Sequence, residues 1–112
     1  MAEDCLFCKI IASEIPATRL HEDEKTLILA DINPQAPTHG LVMPKRHYTD
    51  IGELAADPAT AAAVLAAIAA FVAAENLTDY RTVFNTGAGV GQSVFHVHAH
   101  VLAGRPMGWP PG

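Results

Sequence analysis

Basic residues are scarce in this sequence, and they are almost never adjacent. Seven Lys and Arg residues stand against twelve Asp and Glu, which gives a net charge of −5 at pH 7. A nucleic-acid-binding surface needs clustered Lys and Arg. The one adjacent basic pair, Lys45-Arg46, is more typical of a solvated strand end. We therefore expect no nucleic-acid partner.

Long apolar runs and secretion signals are also missing. The longest stretch without a polar residue, 61–74, is mostly alanine and falls short of the roughly 20 residues that span a bilayer. The acidic start, Met1-Ala2-Glu3-Asp4, lacks the charged and then apolar pattern of a signal peptide. We expect a cytoplasmic protein with no membrane partner. Its two cysteines should then stay reduced or hold a metal.

The remaining composition is that of one globular domain. The chain has 112 residues, half of them hydrophobic, and shows neither a repeat nor a domain boundary. We expect a single domain over residues 1–112. Its last segment, 104–112, holds three prolines and three glycines and should be an irregular tail.

Apolar spacing predicts two helices and five short strands, and therefore the α+β class. A short amphipathic helix is expected at residues 5–14, and a long one at 57–76. Asp57 suits the N-cap of the long helix and Pro58 its first position. Strands are expected at 17–22, 25–30, 40–43, 80–85 and 94–102, with loops at 31–38 and 87–91.

The long helix should have one core face and one face that is unusually poor in charge. The expected core face consists of Val64, Ile68, Phe71, Val72 and Glu75, with Leu65 beside it. Alanines cover most of the rest. A second buried face, and hence a dimer, is the favoured interpretation.

Three alternating histidines, His96, His98 and His100, stand out in the last predicted strand. On an extended chain their rings would share one face, while Val97, Ala99 and Val101 would enter the core. Rings at this spacing cannot all hold one small ion, so we expect them to have separate roles. A neutral imidazole can attack phosphorus to form a covalent nucleotidyl-histidine, and a protonated neighbour can protonate the leaving group. Spacing alone does not assign these roles.

A glycine-spaced loop, 87–91, precedes the histidines. Its backbone N–H groups could form a nest for an anion, or the loop could be an ordinary long hairpin turn. It does not fit a dinucleotide fingerprint, because a strand pattern follows it rather than a helix. Next to Ser93 and the imidazoles, it suggests a phosphate pocket.

Three separated blocks of this sequence resemble the histidine-triad (HIT) family of nucleotide hydrolases and transferases. They are the run His96 to Leu102, the block Asp31 to His47, and the ending Gly104 to Gly112, which resembles the Hint branch in particular. The resemblance implies a five-stranded antiparallel sheet that dimerises into a larger continuous sheet. It also implies a purine nucleotide substrate and hydrolysis of adenosine 5′-phosphoramidates or related nucleotides, releasing a nucleoside 5′-monophosphate.

The same resemblance implies roles for individual residues. His98 would be nucleotidylated, His100 would contact the phosphate and assist the leaving group, and His39 would support this row. Ser93 would protonate the departing amine, and Asp31 would bind the ribose hydroxyls. Further substrate contacts are expected from Ile32, Leu29, Phe7, Ile10, Asn85, Gly91, Gln92, Val94 and, near the site of the partner subunit, Trp109. Asp31 could instead be a turn residue, His39 a structural hydrogen-bonder and Trp109 tail packing. Ala30 stands where Hint proteins often carry histidine, so contacts around the base and ribose should differ.

Cys5 and Cys8 form a Cys-x-x-Cys pair, which can be redox-active, a metal half-site or two unpaired buried thiols. No βαβ unit is predicted here to support the redox alternative. The pair resembles that of zinc-bearing bacterial members of the family, which implies a structural zinc held by Cys5, Cys8, His47 and His96. His21 has no such neighbours and should be an exposed strand residue.

Three functions follow from these patterns. The first is a hydrolase acting on P–N bonds through a nucleotidylated imidazole. The second is a nucleotide-binding regulatory or scaffold dimer with little activity. The third is a metalloenzyme that uses the histidine strand as a catalytic zinc site, which would need three protein ligands around an open position.

Overall fold

The computed structural model describes residues 4–112 and confirms the α+β class. The sheet has five antiparallel strands in the order β1-β2-β3-β5-β4. The strands are β1 Arg19–Glu22, β2 Thr26–Ala30, β3 Thr38–Pro44, β4 Tyr80–Val83 and β5 Ala99–Ala103. The helices are α1 Leu6–Ile11, α2 Ile51–Ala55 and α3 Pro58–Ala74. A short 3-10 turn covers Ala88–Val90.

The sheet buries apolar side chains on both faces, because strand residues alternate between them. One face packs against α3, and the other packs against α1 at the N-terminal end of the chain. The α3 side holds Ile28, Val42, Val97, Ala99, Val101 and the helix residues Val64, Ala67, Ile68, Phe71 and Val72. The α1 side holds Cys5, Phe7, Ile10, Leu27, Leu29, Leu41 and Met43.

Helix α3 begins as its sequence predicts and lies directly on β3. The Asp57 carboxylate accepts the Thr60 N–H at 3.2 Å, and Pro58 is the first helical residue. A Cβ at Gly40 would lie 3.3 Å from the Phe71 ring, so glycine lets the helix approach the strand closely. Among residues 4–112, no helix has the length and apolarity needed to cross a bilayer.

Several element boundaries differ from expectation. Helix α1 is shorter than 5–14, β3 begins two residues earlier than expected, and β4 ends at Val83. Glu75, expected on the core face of the long helix, is instead its exposed C-cap. The expected elements do not include helix α2, so the described residues contain three helices rather than two.

The largest difference concerns the predicted histidine strand. The ladder begins at Ala99 rather than Val94, so only His100 lies in β5. The Val97 N–H turns away from the sheet and donates to the Tyr48 carbonyl at 2.6 Å. The expected division of faces nevertheless holds, since Val97, Ala99 and Val101 are buried against α3.

Candidate functional site

Three imidazoles form a continuous row on the α1 side of the sheet. His100 lies in β5 opposite Leu41 of β3, and His39 lies two residues before Leu41, so His39 and His100 are diagonal neighbours. Their ring centroids are 5.1 Å apart, and those of His98 and His100 are 5.0 Å apart. The sheet register thus brings together the three histidines expected to act in catalysis.

His98 has one ring nitrogen fixed and the other available. Its Nδ1 lies 2.8 Å from the main-chain oxygen of His96. A carbonyl only accepts, so Nδ1–H donates and Nε2 keeps its lone pair. The Phe7 ring meets the imidazole edge-on at 5.0 Å. Burial lowers the pKa of His98, so the ring is neutral at pH 7 and can act as a nucleophile.

The tautomers of His39 and His100 are set by a main-chain amide that the sequence does not reveal. The Gln35 N–H donates to His39 Nδ1 at 3.0 Å, so a neutral His39 carries its proton on Nε2. That nitrogen lies 2.9 Å from His100 Nδ1, which must therefore accept. His100 is left with its proton on Nε2. Burial, and then the neighbouring His98 and His39, lower the pKa of His100 to about 4.

Asp31 has a turn role and also contacts the row. One carboxylate oxygen accepts the Asn33 N–H at 2.8 Å, which is the turn bond expected of an Asp before a proline-containing loop. The other oxygen lies 3.3 Å from His39 Nε2. The next residue, Ile32, is 99% exposed. Ribose binding by Asp31 remains a prediction.

The residues expected around the base differ widely in exposure. Phe7, Ile10 and Leu29 are buried together in the α1-side core. Trp109 is 84% exposed in the tail. The tail is attached nearby by a 2.9 Å bond from Arg81 to the Gly108 carbonyl.

Part of the glycine loop closes on itself through main-chain hydrogen bonds. The N–H groups of Val90, Gly91 and Gln92 donate to carbonyls of the same loop, which favours the turn interpretation over an anion nest. The side-chain amide of Gln92 is buried and also bonds to the main chain. Its oxygen accepts the Gly87 N–H at 2.9 Å, and its nitrogen donates to the Thr49 carbonyl at 2.8 Å.

Ser93 follows this loop at the surface. It is exposed, and it lines a cavity of about 410 Å³ together with Val94, Phe95, Cys5 and His47. Asn85 lies beside the loop, since a Cβ at Gly91 would be 3.8 Å from its side-chain nitrogen. A larger cavity, of about 640 Å³, lies between β4 and the tail and contains none of the imidazoles.

Cys5, Cys8, His47 and His96 converge near α1. The Sγ–Nδ1 distances are 3.5 Å for Cys5–His96, 3.4 Å for Cys8–His47 and 3.5 Å for Cys8–His96. The two Nδ1 atoms are 3.1 Å apart. Tetrahedral zinc, with bonds of about 2.3 Å to sulfur and 2.05 Å to nitrogen, would separate a sulfur from a nitrogen ligand by about 3.6 Å and two nitrogen ligands by about 3.3 Å. The four donors therefore fit a metal of this kind.

The tautomer of His96 suits a ligand role. Its Nε2 lies 2.7 Å from the Pro44 carbonyl, so Nε2–H donates and the Nδ1 lone pair faces the cysteines. Burial lowers the pKa of His96 to about 4, which keeps the ring neutral. Burial, followed by the Cys5 thiol, raises the pKa of Cys8 to about 11. A cation binding there must displace the thiol proton.

A second group of potential metal ligands consists of Asp31, His39 and His100. The tautomer of His39 does not suit a metal ligand. The donor atoms of the three residues all lie within 4.8 Å of one another. However, His39 Nδ1 accepts a main-chain N–H, so the nitrogen that points into the group carries a proton. A metal bound to His39 Nε2 would force the proton of the neutral ring onto Nδ1. That N–H would then point at the Gln35 N–H, and two donors would face each other. The arrangement suits a hydrogen-bonded row, not a metal site.

Known proteins match nearly the whole chain. Residues 12–107 match the HIT domain family. The chain is 47% identical over 121 residues to a 14 kDa zinc-binding protein of Zea mays, covering 96% of this chain and 87% of that protein. A HIT family hydrolase from Legionella pneumophila superposes with a TM-score of 0.92 at 47% identity, covering 97% of this chain and 100% of the other. A histidine triad nucleotide-binding protein from Candida albicans gives 0.82 at 32% identity, with coverages of 96% and 83%.

The family match includes all three histidines of the row, and the three relatives cover 96% or 97% of this chain. The protein belongs to the HIT domain family.

Proposed function

We propose that the protein hydrolyses purine nucleoside 5′-phosphoramidates and related nucleotidyl conjugates, releasing a nucleoside 5′-monophosphate. The observation that carries this proposal is the tautomer of His98. Its Nδ1–H is bound by the His96 carbonyl, so its Nε2 lone pair is free for phosphorus. Similarity to proteins named HIT family hydrolases supports a hydrolase at the coarse level.

In the first step, His98 Nε2 attacks phosphorus and the P–N bond to the leaving amine breaks. The positive charge that develops on the imidazole strengthens the Nδ1–H bond to the His96 carbonyl. His100 Nε2–H donates to a phosphate oxygen. The Ser93 hydroxyl relays a proton from solvent water to the departing nitrogen, which leaves as a neutral amine. Ser93 is exposed, so an amine beside its hydroxyl leaves directly to solvent.

In the second step, water attacks the same phosphorus, and the P–N bond to His98 breaks. The nucleoside monophosphate leaves and the neutral ring of His98 is restored. The attacking water releases one proton to solvent, which balances the proton that the amine took up in the first step. In this proposal Asp31 holds the ribose, and the base lies near Phe7, Ile10, Leu29 and Ile32. Asn85, Gly91, Gln92 and Val94 lie around the phosphate.

We propose that the Cys5–Cys8–His47–His96 cluster holds a structural zinc, by analogy with the maize relative named as zinc-binding. All four donors come from this chain, which leaves no open position for catalysis in a tetrahedral site. When bound, the metal would fix α1 against the segment that leads into β5. The proposed chemistry belongs to His98 and does not pass through the cluster.

We also propose that the active form is a homodimer. Leu65 on α3 is 60% exposed, next to an apolar surface of alanines, and β4 is an edge strand. A second copy would cover this surface and bring its Trp109 near the site.

The deciding experiment is turnover of an AMP–amine conjugate by wild type and by His98→Ala. We expect the variant to lose activity by on the order of 10³-fold or more while still binding AMP. His21→Ala is the matched control, since His21 is exposed on β1 outside the row. Retained turnover in His98→Ala would refute the mechanism.

Rapid quenching with substrate, followed by mass spectrometry, tests the covalent step. We expect a nucleotidyl mass on the peptide that contains His98. An inactive wild type that still binds AMP would instead support a nucleotide-binding scaffold.

A further inference from the structure

The C-terminal tail is attached to the loop between β2 and β3. Gly104 has φ of +100°, and a Cβ there would lie 2.8 Å from Cβ of Pro37. No other residue would fit this contact without displacement. Beside it, Arg105 Nε donates to the Gln35 carbonyl at 2.7 Å. The tail thus holds the loop at two adjacent points.

The same peptide segment of the loop also faces the imidazole row. The Gln35 carbonyl accepts from Arg105, while the Gln35 N–H donates to His39 Nδ1 at 3.0 Å. The side chain of Gln35 does not share this role, because it donates to the Asn33 carbonyl. Gln35 therefore links the tail to the row through its main chain alone.

We propose that Arg105 is a positioning residue that fixes the tautomers of His39 and His100 by holding the Gln35 main chain in place. His100 presents Nε2–H while His39 donates to His100 Nδ1. The Gln35 N–H favours this arrangement by occupying His39 Nδ1, and the Asp31 carboxylate, 3.3 Å from His39 Nε2, favours the same proton position.

The two tautomers of a neutral imidazole differ little in energy unless a hydrogen bond selects one. Without the Gln35 N–H, His39 can move its proton to Nδ1, and its Nε2 then accepts from His100. His100 Nε2 becomes a lone pair, which repels a phosphate oxygen instead of donating to it. The consequence for catalysis rests on the proposed function, whereas the consequence for the tautomers does not.

The test is Arg105→Met, read out by imidazole ¹⁵N NMR and by kinetics. We expect wild-type His100 to show a protonated Nε2 and an unprotonated Nδ1, and the variant to show averaged nitrogens for both His39 and His100. Weakening one transition-state donor should lower kcat about 10-fold, with KM changed by less than about 2-fold. Arg105→Lys keeps a donor, so we expect it to restore most of the wild-type nitrogen spectrum and most of the wild-type kcat.

Two further variants keep the proposal falsifiable. Arg81→Met is the matched control. Arg81 also donates to a tail carbonyl, that of Gly108 at 2.9 Å, but among the described residues it makes no side-chain hydrogen bond to the loop. It should leave the nitrogens and kcat unchanged. Gly104→Ala disturbs the loop contact independently and should reproduce the Arg105→Met spectrum.

Unchanged His100 nitrogens in a folded Arg105→Met protein would overturn the proposal, and so would an equal effect of Arg81→Met. If wild type showed no turnover, the proposed function would fail while the nitrogen spectra still decided the role of Arg105.

Discussion

His96 and His98 are both anchored by main-chain carbonyls, but through opposite ring nitrogens. His96 donates from Nε2 to Pro44, so its Nδ1 lone pair points at the cysteines. His98 donates from Nδ1 to His96, so its Nε2 lone pair remains for chemistry. Two residues that are alike in sequence thus present different atoms. The difference lies in main-chain partners, which a local pattern of side chains cannot disclose.

The depressed pKa of His100 makes stability depend on pH. The unfolded chain takes up this proton near pH 6.5, whereas the folded chain does so only near pH 4. Between these values the unfolded state binds more protons, so stability is full above about pH 7 and falls as the pH drops toward 4. We expect Tm to decline over this range, and His100→Asn to show a shallower decline.

Calorimetry from pH 7.5 to 4.5, with excess zinc throughout, measures this effect. The Tm difference between wild type and His100→Asn should shrink by several degrees as the pH falls. Parallel curves for the two proteins would contradict the assignment of a buried neutral ring.

At the scale of elements, α3 has two different apolar faces. Ile68 and Phe71 are 6% exposed against the sheet, whereas Leu65, beside this face, is 60% exposed. Burial of the first face stabilises the monomer fold. The second face can add to stability only when another molecule, such as a second copy of the chain, buries it.

Matched truncations separate the two faces. Ile68→Ala leaves a cavity and should lower the free energy of unfolding by about 2–5 kcal/mol at any protein concentration. Leu65→Ala should change it by less than about 0.5 kcal/mol in dilute protein, but should weaken self-association. Urea denaturation at two concentrations and light scattering after size exclusion check both effects. A monomeric wild type at high concentration would contradict the dimer.

The elements differ in how well the sequence predicts them, for physical reasons. The start of α3 was predictable because Asp57 and Pro58 act locally, as N-cap and first helical residue. The sequence at the start of helix α2 carries a comparable local signal. Asp50 accepts the Glu53 N–H at 3.0 Å, and Glu53 reaches back to the Thr49 N–H at 2.7 Å, which is close to a capping box.

The start of β5 was not predictable from alternation. His96 and Val97 continue the alternation of polar and apolar residues seen after them. A strand also needs a hydrogen-bonded partner, however, and the ladder between β3 and β5 ends at the pair Val42–Ala99. Partners are set by the whole sheet. The catalytic histidines and the four cysteine and histidine ligands are assigned by resemblance. The structure brings His39, His98 and His100 together in one row, and the four ligands together in one cluster. Its contacts add Gln35 and Pro44, whose contributions come from the main chain.

At the scale of the whole molecule, the Cys–His cluster connects three distant segments. Cys5 and Cys8 lie at the start of the described chain, His47 follows β3, and His96 precedes β5. A metal held by all three segments would stabilise only the folded state. The cluster therefore ties the placement of β5 to that of α1.

Chelation tests this connection. Removing zinc with an excess of chelator should lower Tm by about 10 °C or more, and added zinc should restore it. Cys8→Ser should start at the lower Tm and respond to neither treatment. Below the lower Tm, turnover per folded molecule should persist. Loss of all turnover at a temperature where the metal-free protein is folded would instead indicate a catalytic zinc.

The sheet order has one further consequence, for synthesis on the ribosome. Strand β5 is the last to be made, yet it lies between β3 and β4. Until it emerges, β3 and β4 have no partner on their facing edges, and such edges invite pairing between nascent chains. The strand that carries His100 thus closes the sheet. Truncation before Ala99 should yield an aggregating fragment and not a smaller folded protein.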